Sequence, residues 1–184
     1  MMRRALAPCA PALLALPAVR TWMEAGMARH MLLQLPLLVL AGVTLRGLRW
    51  RVPAFARCDA HGLTGLTLLL CASACWMIPR ALDASLTHGL VEALKFGSLL
   101  LAGLFLPGSL GRAGMVVQLF FLANLCAMCA IAGLLYQEAP QRLCNAYLLD
   151  EQSVAGGGLV GLALGVAVVW CVVQRRALLG APQA

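Results

Sequence analysis

Five stretches of this chain, residues 27–45, 62–78, 91–110, 113–136 and 154–173, run apolar for 17 to 24 residues and carry almost no charge. An α-helix rises 1.5 Å per residue, so each would be about 25–36 Å long, close to the thickness of a bilayer's hydrocarbon layer. In lipid a backbone must satisfy its own N–H and C=O groups, which leaves only helices and closed barrels. None of the five alternates polar and apolar residues as a barrel strand does. The sequence therefore predicts an all-α, polytopic transmembrane bundle of five to six spans. Composition agrees: 62% of the 184 residues are apolar and 11% are charged. That excludes an ordinary soluble domain and, equally, a disordered chain. No length remains for a separate soluble domain. Residues 1–184 read as one membrane domain, with an N-terminal segment 1–26, a five-span core 27–176 and a cytoplasmic tail 177–184.

Residues 5–19 form a shorter apolar stretch behind Arg3 and Arg4, interrupted by Pro8, Pro11 and Pro17. It reads as a signal-like segment or as a short, kinked first span. Charge favours the span. With six crossings both termini lie inside, and Arg3, Arg4, Arg46, Arg49, Arg51, Arg57, Arg112, Arg175 and Arg176 share that side with Asp59 alone. The outer side holds Arg20, Arg29, Arg80, Lys95 and Arg142 against Glu24, Asp83, Glu92, Glu138, Asp150 and Glu151. The formal charge of +7 is then a positive-inside bias, with no nucleic acid implied. Trp22, Trp50, Trp76 and Trp170 fall near span ends, where an aromatic belt places them. Together these features predict a multi-pass protein of a bacterial inner membrane.

No Asp or Glu lies deep in a span, no nucleotide-binding loop is present, and no Ser/His/Asp set shares one depth. The chain is not expected to be an enzyme, and a solute transporter would lack its polar path. Soft donors are present. Met23, Met27 and His30 are spaced four and three apart, one stripe of a helix, with Met31 adjoining. Thioether and imidazole suit copper, and thioether favours the cuprous ion. Cys126 and Cys129, at i and i+3, reach the same outer half, as do Cys75 and Met77. The predicted metal ligands are Met27, His30 and Met31, joined by Cys126 and Cys129. The plainer reading of each is a buried residue filling apolar space. His30 and His88 as haem ligands rest on less. Cys144, in an outer loop, is a candidate for a disulfide with another outer cysteine. Pro36 and Pro107 should kink their spans. Gly157, Gly161 and Gly165 place small residues on one face of the last span, a surface for packing against a partner, a second copy, or the bundle itself.

The stretch Met27-Ala-Arg-His30-Met31-Leu-Leu-Gln-Leu-Pro36-Leu-Leu-Val-Leu-Ala-Gly42 resembles the His-Met signature helix of the CtaG-type (caa3) cytochrome c oxidase assembly proteins. A second stretch, Trp76-Met-Ile-Pro79-Arg-Ala-Leu-Asp83-Ala-Ser-Leu, is similar to that family's Trp-x-x-Pro turn followed by an acidic residue. Together they cover less than a sixth of a chain that would be a shortened or divergent relative. The resemblance implies copper handling during maturation of a haem-copper oxidase, with oxidase subunits or a copper chaperone as partners and His30 and Met31 as carried-over site residues. The alternative from a different class is a non-catalytic structural or scaffold subunit that packs through its glycine-striped last helix.

Overall fold

A computed structural model describes residues 9–45 and 58–178, and within them every regular element is a helix. Arg3, Arg4, Arg46, Arg49, Trp50, Arg51, Arg57 and most of the tail 177–184 lie outside the described residues. The all-α expectation holds. The helices are α1 (Cys9–Ala15), α2 (Pro17–Glu24), α3 (Arg29–Leu45), α4 (Leu63–Trp76), α5 (Pro79–Thr87), α6 (Gly89–Arg112), α7 (Met115–Glu138) and α8 (Leu149–Leu178).

Against the five to six spans expected, three of them, α6, α7 and α8, are long and apolar enough to cross a membrane, or four if a bent pair counts as one span, and α3, in the expected span 27–45, is a shorter apolar helix. The stretch 62–78, expected as one span, is shorter. Its helix α4 has 14 residues, and α5 leaves it at 79°, a broken span or a re-entrant loop. Pro79 explains the break. It has no N–H to continue α4 and a φ suited to starting α5, and it holds Ile78 before it extended. Pro17 does the same further upstream. Leu16 is extended, so the described part of the expected first span is two helices of seven and eight residues, neither long enough to cross.

Pro36 acts differently. Where a kink was expected, the backbone widens into a π-helix over Arg29–Gln34, and the Leu35 N–H donates five residues back to the His30 carbonyl. A proline at 36 would press on the Leu32 carbonyl, and a wider turn upstream relieves that contact while keeping the helix continuous.

The helices pack as two sets. In one, α6 lies between α3 and α4; in the other, α7 and α8 form an antiparallel hairpin in which Gly133 and Gly156 bring the two backbones together. Charged and polar groups collect at the two ends. One end carries Glu24, His30, Lys95 and Tyr147; the other carries Asp59, Arg112, Gln118 and Gln174. Of these, Glu24 and Lys95 at one end and Asp59 and Arg112 at the other are charges that the distribution assigned to opposite sides. Trp76 departs from the belt: it is buried and donates to Ser98 Oγ at 2.9 Å, so it packs inward.

The second of these ends is locked by Asp59, wholly buried beside Arg112. Its carboxylate accepts from Arg112, from Ser109 Oγ at 2.6 Å and from the Gly65 N–H at 3.2 Å. Gly62, at φ +74, makes the turn, and any Cβ there would meet the Ser109 carbonyl. Burial alone would raise the Asp59 pKa, but the three hydrogen bonds and the Arg112 charge outweigh it and hold the carboxyl below its ordinary value. A carboxyl depressed on folding contributes stability above its unfolded pKa and loses it as pH falls through the folded one. Asp59→Asn should therefore cost about 2 kcal/mol at pH 7. Unfolding midpoints in detergent should show the gap between wild type and variant shrink below about pH 4, the unfolded value. A gap constant with pH would remove the charge as its cause.

Candidate functional site

Two features compete for the role of site, and the predicted ligands divide between them. The first is a buried polar network. The chain turns at Ala25–Gly26 between α2 and α3, so Met23, Met27 and His30 do not form one stripe. Met23 packs with Leu38, Trp76 and Leu99, whereas Met27 and Met31 pack with Leu82, Tyr136 and Tyr147. The same turn folds Glu24 back over α3.

There the Lys95 ammonium, with none of its surface exposed, donates its three protons to Glu24 Oε1 at 2.9 Å, His30 Nε2 at 2.9 Å and Gln34 Oε1 at 3.1 Å. Gln34 Nε2 donates to the same Glu24 oxygen at 3.1 Å. His30 Nδ1 lies 2.8 Å from the Tyr147 hydroxyl, which itself donates to the Glu24 carbonyl at 2.9 Å. One tautomer satisfies every group: a neutral ring that gives its Nδ1 proton to Tyr147 and accepts at Nε2 from Lys95. Outside, Arg20 bridges to Glu92 at 2.7 Å. Tyr147 comes from the loop between α7 and α8, where burial, then the Glu24 carboxylate, pushes its phenol above the ordinary range.

His30 is thus buried and saturated. Its Nε2 lone pair, the one a metal would take, already faces a cation supplied by the chain. Lys95, placed by sequence reasoning among the outer-side charges, is the centre of this network. The signal available was a lysine with no charged neighbour later in its span; what hid it was that Glu24 lies 71 residues away.

The second feature is a cavity of about 390 Å³ among α3, α4, α6, α7 and α8, lined almost wholly by apolar atoms. Met31, Met77, Cys126 and Cys129 line it together, and Ser73 adds one hydroxyl. Of the five predicted ligands, Met31, Cys126 and Cys129 therefore share a cavity, and Met27 and His30 stand outside it, fully buried elsewhere. Met77 joins the set because α4 ends there. Among the described residues no three His, Cys, Asp or Glu side chains converge, so an ion held in this cavity would depend on thioethers together with two thiols.

The other expected features resolve plainly. None of the eight cysteines, all of which lie among the described residues, is joined in a disulfide. Cys144, the disulfide candidate, is a buried thiol 3.8 Å from the Pro79 carbonyl oxygen, where burial, then Asp83, pushes its pKa to about 12. His88 is exposed and bonds to its neighbour Thr87. Gly157, Gly161 and Gly165 meet nothing within 4 Å: they face outward and take no part in packing the bundle. Comparison of the chain with protein-family models, with curated proteins and with solved structures finds no match.

Proposed function

We propose that this chain is a copper-handling membrane protein that receives cuprous ion in the sulfur-lined cavity, in the service of haem-copper oxidase assembly in a bacterial inner membrane. One observation carries the reading: Met31, Met77, Cys126 and Cys129 reach a single apolar cavity from three separate stretches of chain. Cuprous ion prefers soft donors and few of them, and a cavity whose lining offers sulfur and, besides it, only the Ser73 hydroxyl favours it over zinc. The oxidase and its subunits or chaperone as partners enter through the resemblance of residues 27–42 and 76–86 to the CtaG-type proteins. The role proposed is carriage, with no bond made or broken in a substrate.

Cuprous ion titrated into the protein in nanodiscs, against a chromogenic chelator, tests it. Replacing Cys126 and Cys129 by Ser together with Met31→Leu should weaken retention by about tenfold or more. His30→Gln should leave retention unchanged, because that ring already serves Lys95 and Tyr147. Equal retention in wild type and the triple variant would end the assignment to this cavity. Loss with His30→Gln alone would move it to the network.

A second reading is favoured by the open faces of Gly157, Gly161 and Gly165. A glycine stripe that the bundle leaves uncovered fits a scaffold subunit whose last helix packs on a partner.

A further inference from the structure

The outer face of α7 holds a group that lipid cannot satisfy. Val116, Phe120, Asn124, Ala127, Ile131 and Leu134 are spaced four, four, three, four and three apart, which places them on one side of the helix, and all are exposed. Asn124 sits in the middle of this face. It is nine residues from Met115 and 14 from Glu138, so about 14 Å and 21 Å of helix separate it from the two ends. Nothing charged lies between Met115 and Gln137. Its Nδ2 donates to the Phe120 carbonyl at 2.7 Å, one helical turn back. The second amide proton and the Oδ1 lone pairs have no partner among the described residues. An amide in hydrocarbon has no water to turn to, and across a helix interface it is a strong adhesive.

We infer that this face of α7 is a self-association surface, and that two copies pair through reciprocal hydrogen bonds between their Asn124 amides. Three properties select a second copy over an unrelated helix. An amide carries both donor and acceptor, so it complements itself. A two-fold axis sets a residue near the axis opposite its own copy, which gives both amides a partner at once. The flanking residues then match as well. Ala127, one turn away, leaves room for close approach, and Phe120 and Ile131, 61% and 67% exposed, bury against the other copy. The cavity and the Lys95 network lie on other sides of the bundle, so this inference is independent of the copper reading.

The test measures energy transfer between full-length chains carrying donor or acceptor dyes on a C-terminal tag, in liposomes diluted stepwise with lipid. Wild type should associate. Asn124→Leu should weaken association about tenfold or more, and Asn124→Gln, which keeps the amide, should restore most of it. Asn124 faces lipid, so Leu there should leave the fold intact, as an unchanged unfolding midpoint would show. Gly161→Leu, on the competing glycine face, should leave association unchanged. A monomeric wild type overturns the inference, as does Asn124→Leu associating like wild type. So does loss on Gly161→Leu alone, which would assign self-association to α8.

Discussion

Replacing Lys95 by Met should destabilise the protein by about 3–5 kcal/mol, the cost of stranding a buried charge without its partner. In the variant, Glu24 keeps Gln34 and a distant Arg20 at 3.8 Å but loses the ammonium at 2.9 Å, and its side chain is only 12% exposed. His30 Nε2 and Gln34 Oε1 lose their donor at the same time. Glu24→Gln alone should cost a similar amount for the opposite reason: it leaves a fully buried ammonium among neutral acceptors. The double variant should cost clearly less than the sum, because the second substitution removes the charge that the first one stranded. Unfolding midpoints in mixed detergent over the four proteins give the coupling. Additive costs would show that Lys95 acts through packing alone. The cycle also probes what the network does. It ties α2, α3, α6 and the loop before α8 at one point, and His30 in it is the neighbour of Met31 in the cavity. Loss of the ammonium should therefore loosen the fold where these four segments meet.

How much of this was legible in the sequence depends on the range of the interaction. The helical class, the long helices α6, α7 and α8 and the separation of charges to two ends follow from local runs of apolar residues, and those were read directly. Short-range backbone chemistry was half legible. Pro36 and Pro79 announce a disturbance, but whether a proline yields a π-turn, as at Arg29–Gln34, or a 79° bend, as after Trp76, depends on what packs around it. The site was least legible. Spacing brought Met27, His30 and Met31 together on paper, yet the turn at Ala25–Gly26 and the arrival of Lys95 and Tyr147 from distant sequence assigned His30 to an ion-pair network and left Met31 to the cavity. Asn124 was in plain view as a polar interruption, but periodicity cannot say whether such a residue faces lipid or protein.

Glycines show the same limit, and they yield the second large effect. The sequence drew attention to Gly157, Gly161 and Gly165, which touch nothing, whereas the close helix crossing is made by one glycine from each of two helices. A Cβ on Gly103 would stand 1.9 Å from the Val39 carbonyl oxygen, and one on Gly42 2.2 Å from the Leu100 carbonyl oxygen. The obstacles are backbone atoms on both sides, so no rotamer change can make room; α3 and α6 would have to separate along their contact. Gly103→Leu should accordingly cost about 3 kcal/mol or more, the upper end of overpacking penalties, and should shift the unfolding midpoint far more than Gly161→Leu, whose Cβ enters open space. Gly103→Ala should already show much of the loss, since the clash begins at Cβ. The reasoning turns on where the obstacle sits. If Gly103→Ala and Gly161→Ala unfolded together, α3 and α6 would not be in backbone contact, and the wall that carries Met31 would have to be placed elsewhere.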